Sequence, residues 1–538
     1  MTQNVFNQAP PLENIDLFGS DRPLAEAVAA NGAGQEVGAL SSFGRHWGAA
    51  EMFEQARLAD ENPPKLQTDG ARDVVEFHPA YHRFMTESMA AGLHAMTWNA
   101  DALPAPPPAE VARAARFYMV AQVENGHMCP ITMTRASVAA LAGEVDLIKK
   151  LMPKIGARQY DPSFKPWWEK SAMTVGMGMT EKQGGTDVRA NTTKAVSAGE
   201  GYAITGHKWF MSAPMSDAFL VLAQAPGGLT CFFMPRFRPD GSVNALHFQR
   251  LKNKLGNRSN ASTEVEFKDA FALRVGEEGK GIRTIIRMVQ LTRLDCAIAS
   301  GGLMRAALVR ALHNARHRNV FGKLLIDQPM MRQVLADLAL EVEGSVALIM
   351  RLCRAVDRSA SDDSEARLAR LLTPAAKYWI CKTAPPFAYE AMECLGGNGY
   401  VEDYVLARLY REAPVNAIWE GSGNVMCLDV LRAIGRDGDS LQAALADVVR
   451  QAADLPGAHD AVDFIARVLA SNSAEAQARG AVERIALLAA AAALKASGSP
   501  VAEVFARTRL SGRRGSTFGT SDITDREASM LLERALPA

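Results

Sequence analysis

The residues best suited to chemistry form one short stretch, from Met177 to Asp187, with the sequence MGMTEKQGGTD. It combines two hydroxyl residues, Thr180 and Thr186, with the adjacent glycines Gly184 and Gly185. Glycines let a backbone turn back and approach a ligand closely, and hydroxyls donate hydrogen bonds to carbonyl or phosphate oxygens. Polar turns that bind nothing have a similar composition, because Thr-Asp caps helices and Gly-Gly is common in turns. The stretch is therefore either a ligand-binding loop or a plain turn.

The next segment favours ligand binding. A predicted strand, YAITG at 202–206, runs into HKWFMS at 207–212, which places the aromatic residues Trp209 and Phe210 beside the hydroxyl of Ser212. A flat heteroaromatic ring such as a flavin needs this pairing, because it requires an apolar wall and hydrogen bonds at its edge. A tryptophan in a small β domain also often serves only packing, so the residue type alone leaves both roles open.

A third segment, WEGSG at 419–423, holds a single acid, Glu420, between an aromatic residue and glycines. A carboxylate that reaches a substrate proton can act as a general base, and desolvation beside Trp419 would raise its pKa toward working pH. The alternative is a carboxylate that only orders the glycine-rich turn before a helix. Asp295 is a weaker rival carboxylate, and ion pairs of its own helix explain it equally well.

Together these segments resemble the acyl-CoA dehydrogenase flavoprotein superfamily, and longer stretches resemble its AidB-type adaptive-response branch. The stretches are MTEKQGGTD at 179–187, LGNRSNA at 255–261 and IWEGSGNVMCL at 418–428. The resemblance is specific, because several long and separate motifs agree in order and spacing. It extends from about Val5 to beyond Arg432 and weakens in the remaining tail.

The resemblance implies an FAD cofactor and assigns roles to particular positions. Glu420 is expected to remove the proton α to an acyl-CoA thioester while hydride leaves the β carbon, with Arg293 near the acyl group. Arg318, in the element RNVFG, is expected to reach the FAD of a neighbouring subunit, which implies a homo-oligomer and, by analogy with the family, a tetramer. Glu393 stands where many members have Gln, which puts its contact with an anionic pyrophosphate in doubt. The residues expected to bind FAD are Met177, Met179, Thr180, Gly185, Thr186, Trp209, Phe210, Ser212, Arg318, Ile418, Trp419, Gly421, Gly423 and Asn424.

The AidB-type branch is also associated with double-stranded DNA through a helical tail. Arg507, Arg509, Arg513 and Arg514 fall within eight residues that contain no acid, and Arg432 ends the preceding helix. Without the resemblance, a solvated loop is the simpler explanation of the run. Given the resemblance, these arginines are expected to bind DNA phosphates. The affinity should then fall with salt and depend little on the base sequence.

The predicted function is therefore that of an AidB-like flavoprotein, which binds duplex DNA in the adaptive response to alkylation damage and has at most weak acyl-CoA dehydrogenase activity. The alternative is an ordinary metabolic acyl-CoA dehydrogenase that oxidises a short or branched acyl-CoA with Glu420 as base. A structural helical protein that only retains the fold fits less well, because the flavin motifs are intact. An intact Glu420 keeps the dehydrogenase alternative open.

Composition agrees with a cytoplasmic protein without a metal site. The 538 residues carry no formal net charge, and the seven cysteines are scattered without a C-x-x-C pair, which is typical of a reducing compartment. The N-terminus lacks a secretory signal pattern. The longest apolar run, 485–494, is shorter than the about 20 residues needed to cross a bilayer, so no membrane partner is expected.

The pattern of hydrophobic residues predicts an α+β fold that is mostly α. Period-3.6 stretches dominate, and strand-like runs occur only between about 173 and 274. The family has the same order of elements. The predicted segments are an N-terminal arm (1–70), an N-terminal helical domain (71–170), a central antiparallel β domain (171–275), a C-terminal four-helix bundle (276–436) and an extra helical domain that could bind DNA (437–538).

Overall fold

The helices and strands are those of a computed structural model that describes residues 6–68, 73–436 and 438–537. The predicted boundaries at 70/71 and 436/437 involve residues outside these ranges. The α-helices are α1 (Arg22–Val28), α2 (Val37–Trp47), α3 (Ala50–Glu61), α4 (Pro79–Ala90), α5 (Ala109–Ala121), α6 (Met128–Leu141), α7 (Val145–Ile155), α8 (Gly281–His317), α9 (Pro329–Arg358), α10 (Asp363–Glu393), α11 (Gly397–Tyr400), α12 (Val405–Glu412), α13 (Gly423–Arg436), α14 (Gly438–Ala452), α15 (Ala458–Leu469), α16 (Ala474–Ala496), α17 (Ala502–Arg509) and α18 (Asp525–Ala535). The strands are β1 (Lys65–Thr68), β2 (Asp73–Glu76), β3 (Val175–Gly178), β4 (Lys194–Ala198), β5 (Gly201–Ser212), β6 (Ala218–Ala225), β7 (Gly228–Pro235), β8 (Leu246–Leu251), β9 (Ser262–Val275), β10 (Asn319–Val320) and β11 (Lys323–Leu324).

These elements form two compact units, each built from separate stretches of chain. The sheet unit comprises 54–105 and 124–292, and the helical unit comprises 1–53, 106–123 and 293–538. Both names refer below to the described residues of these ranges. The predicted α+β class, mostly helical with a central sheet domain, is confirmed.

The sheet unit contains one seven-stranded sheet in the order β3-β6-β4-β5-β9-β7, with β8 paired to β9. Strand β6 also pairs with β7, so the sheet closes on itself. Most pairs are antiparallel as expected, but β6 runs parallel to both β3 and β4. The parallel pairs arise because the chain runs along β5 in the direction opposite to β4 before it turns into β6. Alternating apolar side chains fill the interior, among them Ile204, Phe219, Val221, Phe232 and Val265.

The predicted N-terminal arm (1–70) contains α1, α2 and α3, and the predicted helical domain (71–170) differs at its start. The expected helical stretch from Val74 begins instead as β2, which pairs antiparallel with β1. The β-branched pair Val74-Val75 suits a strand, and this preference outweighs the helical spacing that follows. Helix α5 starts directly after the Pro106–Pro108 breaker, as the sequence predicts.

The helical unit is built around α8, α9, α10 and α13, close to the predicted bundle helices. Helix α10 begins at Asp363, well before Pro374. Asp362 caps it by accepting hydrogen bonds from the backbone amides of Ser364 and Glu365, and the helix continues through Pro374. Tertiary packing therefore overrides the helix-breaking tendency of proline here.

The tail after residue 437 packs into this bundle. Helix α16 contacts α9 and α10, and α18 contacts α9. Arg534 of α18 forms a buried ion pair with Glu343 of α9 at 2.6 Å. The tail is therefore part of the core of the helical unit. Within the described residues, no helix combines the length and the apolar character needed to span a bilayer.

Candidate functional site

In the sheet unit, the two predicted flavin-binding segments lie side by side. The backbone amide of Trp209 in β5 donates to the carbonyl of Thr180, which follows β3, at 2.9 Å. The loop after Thr180 turns back onto it, so that a Cβ added to Gly185 would lie 2.3 Å from the Thr180 hydroxyl oxygen. Only glycine fits there without displacing Thr180. The structure thus brings together the residues that sequence alone left as either a site or a turn.

The accessible residues of these segments form what we call the flavin face, made of Met177, Met179, Thr180, Phe210 and Ser212. The first three and Ser212 are half-buried, whereas Phe210 is 50% exposed. Phe210 and Ser212 flank the buried Met211 along β5 and so point to the same side. An exposed ring with hydroxyls at its edge fits the requirements of a flavin. Thr186 is exposed in the adjoining loop.

Trp209 has a different environment from Phe210. The ammonium of Lys252 lies 3.3 Å from the centroid of its ring, and that of Lys182 lies 5.2 Å away. Cations over an aromatic face are held by the ring quadrupole. The ammonium of Lys252 also lies 4.6 Å from the centroid of the Phe210 ring, so both rings have a cation partner, and Phe210 is the more exposed of the two.

A buried ion pair that sequence reasoning missed supports the flavin face. Glu181, directly after Thr180, binds the ammonium of Lys208 at 2.9 Å, and both side chains are fully buried. The same carboxylate accepts hydrogen bonds from the backbone amides of Thr192 and Thr193. Burial opposes ionisation of Glu181, but Lys208 and these donors lower its pKa to about 2, while burial lowers the pKa of Lys208 to about 8. In the sequence, the position of Glu181 directly after Thr180 was the only indication of this ion pair.

The LGNRSNA segment also has a structural role in the sheet unit. The Ser259 hydroxyl donates to Glu124 at 2.6 Å, and Glu124 in turn binds the ring of His127. A Cβ on Gly126 would lie 1.8 Å from the Ser259 oxygen. The segment therefore locks the loop that leads into α6.

In the helical unit, residues 418–423 form a strained turn, here called the Glu420 turn. Glu420 has a φ of +61°, a conformation that side chains other than glycine rarely adopt, and Gly421 has a φ of +100°. Two buried cations bind its carbonyls: Arg293 donates to the Glu420 carbonyl at 3.0 Å, and Lys377 donates to that of Gly421 at 2.8 Å. The turn is therefore held by hydrogen bonds to its backbone carbonyls.

Asp429 orients Arg293 within this arrangement. Its carboxylate binds Arg293 at 2.7 Å and Arg370 at 2.9 Å. Burial lowers the pKa of Arg293, and the charges of Asp429 and Glu420 oppose that shift. Glu420 and Arg293, both predicted to be catalytic, are thus electrostatically linked. Sequence reasoning missed Lys377 and Asp429, which lie 43 residues before and 9 residues after Glu420.

The other cofactor candidates of the helical unit differ in accessibility. Ile418 is 66% exposed, and the indole nitrogen of Trp419 donates to Asn416 at 3.0 Å. The amide oxygen of Asn424 accepts a hydrogen bond from Arg479 of α16 at 2.8 Å, so this oxygen is already bonded to the tail. Gly423 lies against the ring of Tyr378. The rival carboxylate Asp295 forms a buried, two-point ion pair with Arg113, which supports its ion-pair interpretation.

Arg318 stands beside a short hairpin formed by β10 and β11. Its guanidinium donates to the carbonyl of Asn7 at 3.0 Å. At the hairpin tip, Phe321 is 96% exposed, and Met330 at the start of α9 is 85% exposed. Large apolar side chains this exposed are typical of surfaces that contact another molecule.

The structure corrects part of the predicted DNA-contacting set. Arg509 is buried and binds Asp337 at 2.6 Å and Glu341 at 2.8 Å, so it is a core residue that no phosphate can reach. Arg507 is mostly covered and binds Glu527 at 2.8 Å. The sequence predicts one patch for the four arginines at 507–514, because a sequence does not show which side of α17 faces the bundle.

Three arginines remain accessible. The side chain of Arg513 is 64% exposed and that of Arg514 is 37% exposed. Arg513 lies 3.6 Å from Asp522, and Arg514 lies 3.9 Å from Glu341, distances that leave both guanidinium groups able to turn toward a ligand. Arg432 of α13 is also exposed. These are the candidates for phosphate contacts that the structure retains.

Comparisons with known proteins agree with the geometry. Residues 7–162 match the family described as "Adaptive response protein AidB N-terminal domain", residues 176–270 match the acyl-CoA dehydrogenase middle domain, and residues 279–435 match the acyl-CoA dehydrogenase C-terminal domain. The AidB protein of Escherichia coli K12 is 48% identical over 96% of this chain and 95% of its own length.

Solved structures extend the comparison to the whole fold. The structure of Caenorhabditis elegans ACDH-11 in complex with C11-CoA superposes with a TM-score of 0.84 at 25% identity, covering 99% of this chain and 93% of that chain. The apo form of Bd2924 superposes with a TM-score of 0.82 at 26% identity, covering 92% of this chain and all of that chain. Both therefore share the helical tail as well as the sheet and bundle.

Proposed function

Because the chain belongs to the AidB-type branch of the acyl-CoA dehydrogenase superfamily and is an FAD-dependent oxidoreductase of the acyl-CoA dehydrogenase type, we propose that it binds duplex DNA in the adaptive response to alkylation damage. The observation that carries the proposal is the 48% identity to E. coli AidB, which spans 96% of the chain and therefore includes the tail. Ordinary dehydrogenases end soon after the Glu420 motif, whereas this chain continues for about a hundred residues.

The DNA contacts proposed are Arg513, Arg514 and Arg432, whose side chains are accessible. Guanidinium groups bind phosphate oxygens in pairs of hydrogen bonds and carry no base preference in that role. Each phosphate neutralised releases counterions, so the affinity falls as salt rises. With no net charge on the chain, binding depends on this local set.

The flavin face is proposed to hold the FAD ring, with Phe210 as its wall and the hydroxyls of Thr180 and Ser212 at its edge. Gly185 and Thr186 are proposed to lie beside the pyrophosphate. In the helical unit, the residues proposed to contact FAD are Ile418, Trp419, Gly421, Gly423 and Asn424. FAD, when bound, supplies an acceptor for hydride. The protein excludes water around it and orients the reacting groups.

A weak acyl-CoA dehydrogenase activity is the second candidate function, favoured by the cations that hold the Glu420 turn. Glu420 would take the proton α to the thioester, because its backbone is fixed by Arg293 and Lys377. The relative solved with C11-CoA shares the fold over nearly the whole chain, which supports an acyl-CoA as the ligand class. An AidB-like protein would function with little oxidation of acyl-CoA, whereas a metabolic dehydrogenase would depend on it.

The active form is proposed to be a homotetramer in a reducing, cytoplasmic setting. Exposed Phe321 and Met330 beside Arg318 supply the kind of surface that a second subunit would cover. The cysteines are all free and buried, as expected where disulfides do not form. Arg318 would then approach the FAD of the neighbouring subunit.

Fluorescence anisotropy with labelled duplex DNA tests the main proposal. The double variant Arg513→Ala with Arg514→Ala should weaken binding equally for unrelated sequences and reduce the slope of log K against log salt by about 2. Arg57→Ala is the matched control, because Arg57 is an exposed arginine paired only with Glu54 and Glu61 of its own helix. Unchanged affinity and slope in the double variant would remove these arginines from the proposal.

Deleting the tail is a poor substitute for these point variants. Arg509 and Arg534 in the tail pair with buried acids of α9, and their loss would leave those acids unpaired. A truncated chain would therefore lose stability together with any DNA contact.

A further inference from the structure

A cavity of about 350 Å³ lies within the sheet unit, and its lining includes none of the residues predicted to bind FAD. Its walls come from α4, from the residues around β2, from the loop at 160–164 and from the loop at 213–216 that follows β5. Sites for small organic molecules have volumes of about 300 Å³ or more. Most of the lining falls inside the segment that matches the AidB N-terminal family, 7–162.

The walls of the cavity are largely aromatic. Phe77 stacks on Tyr81 with ring centroids 4.2 Å apart and planes 14° from parallel. Tyr160 stacks on His82 at 5.7 Å, and its hydroxyl lies 3.1 Å from the Nδ1 of that ring. Paired rings of this kind are rigid and present flat apolar surface, so they suit a planar ligand.

One polar group of the lining has no partner within the described residues. Ser216 is only 2% exposed, and its hydroxyl oxygen makes no hydrogen bond there. Buried hydroxyls in folded proteins are nearly always hydrogen-bonded. The Ser216 hydroxyl is therefore a donor available to a group in the cavity, and it fixes where an acceptor atom would sit.

The charged side chains that line the cavity already have hydrogen-bond partners. Lys170 binds Asp217 at 2.7 Å, and Asp161 accepts hydrogen bonds from the backbone amides of Ser163 and Ser171. Burial lowers the pKa of His82 and raises that of Tyr160, so both rings are uncharged at neutral pH. An anionic ligand would face the carboxylates of Asp161 and Glu76, while the ammonium of Lys170 in the lining is already paired with Asp217. A cationic ligand would lose its hydration to carboxylates that already accept hydrogen bonds.

We propose that this cavity binds a small, uncharged aromatic molecule that carries a hydrogen-bond acceptor, with the acceptor bound by the Ser216 hydroxyl and the ring placed against the aromatic walls. The site is separate from the flavin face. It gives the sheet unit a ligand of a different chemical class from an acyl-CoA, whose phosphates are anionic.

Three naphthalene probes of matched size test the proposal on the full-length, FAD-loaded protein by isothermal titration and ligand-observed NMR. 2-Acetylnaphthalene is uncharged and has an acceptor, 2-ethylnaphthalene lacks the acceptor, and 2-naphthoate is anionic. The expected result is saturable 1:1 binding of the acetyl probe, binding about fivefold weaker for the ethyl probe and more than tenfold weaker for the naphthoate.

Variants at Ser216 locate the binding. Ser216→Ala should reduce the affinity of the acetyl probe to that of the ethyl probe, and Ser216→Leu should abolish both by filling the cavity. Ser197→Ala, at an exposed position in β4, is the control that should change nothing. If Ser216→Leu does not fold, as judged by circular dichroism and FAD absorbance, Ser216→Ala still tests whether the Ser216 hydroxyl binds the acceptor of the acetyl probe. Failure of the acetyl probe to saturate, equal or tighter binding of naphthoate, or a Ser216→Ala protein that still prefers the acetyl probe would overturn the proposal.

Discussion

The flavin face of the sheet unit and the Glu420 turn of the helical unit each hold residues proposed to contact FAD, yet buried charges support them differently. Behind the flavin face, Glu181 and Lys208 neutralise each other and tie the loop after β3 to β5. At the Glu420 turn, Arg293 and Lys377 bind backbone carbonyls instead. A surface that only binds a ring needs rigidity without net charge. A residue that transfers a proton needs a fixed backbone, so that its side chain is positioned for the reaction.

Replacing the proposed base should give the largest effect on reactivity. In Glu420→Gln, the rate at which an acyl-CoA bleaches the flavin absorbance should fall about 10²- to 10⁴-fold, because no carboxylate takes the α proton. The FAD content should stay the same. Stopped-flow absorbance under anaerobic conditions measures the rate, and Glu503→Gln, an exposed position on α17, is the control. Equal bleaching by wild type and Glu420→Gln would refute the base assignment.

Breaking the pair behind the flavin face should give the largest effect on stability. Lys208→Met leaves Glu181 as an uncompensated buried carboxylate, which should lower the free energy of unfolding by about 3–5 kcal/mol and release FAD. Urea denaturation and the FAD-to-protein absorbance ratio measure the two effects. Lys194→Met, at an exposed position in β4, should leave both unchanged. A Lys208→Met protein that keeps its stability and its FAD would show that the pair does not hold the face.

The same pair predicts a dependence on pH. Glu181 has a pKa of about 2 in the folded protein against an ordinary value of 4.5, so the folded state binds fewer protons than the unfolded state between these values. The resulting stabilisation, about 3 kcal/mol at most, is complete above pH 4.5 and is lost as the pH falls toward 2. Thermal unfolding between pH 5 and pH 3 should therefore show a steeper loss in wild type than in Glu181→Gln. Parallel curves would mean that Glu181 titrates alike in both states.

Removing a cation from the Glu420 turn should have the smallest effect of the four. Lys377→Met deletes a charged hydrogen bond to the Gly421 carbonyl, which is equivalent to about 1.5–3 kcal/mol. The bleaching rate should fall about tenfold while the FAD content is kept, and Lys377→Arg should recover part of the rate. Loss of FAD without a further change in rate would instead place Lys377 in cofactor binding.

Much of this protein could be predicted from its sequence. The α+β class and the strand at 202–206, which β5 extends as far as Ser212, follow from local patterns that the structure retains. Errors arose where long-range packing decides. Helix α10 continues through Pro374 because the bundle stabilises it, and Val74 enters a strand because β1 pairs with it.

By itself, the sequence determined which residue types are available for chemistry and which family the chain belongs to. Each motif is a contiguous stretch, so it can be recognised without the structure. Only the tertiary structure decided which of them are accessible and what holds them. Arg509 and Arg513 are alike in sequence, but one closes a buried pair with Asp337 and the other is 64% exposed. Lys377 and Glu181 gained their roles in the same way, since burial and hydrogen bonding depend on partners that are distant along the chain.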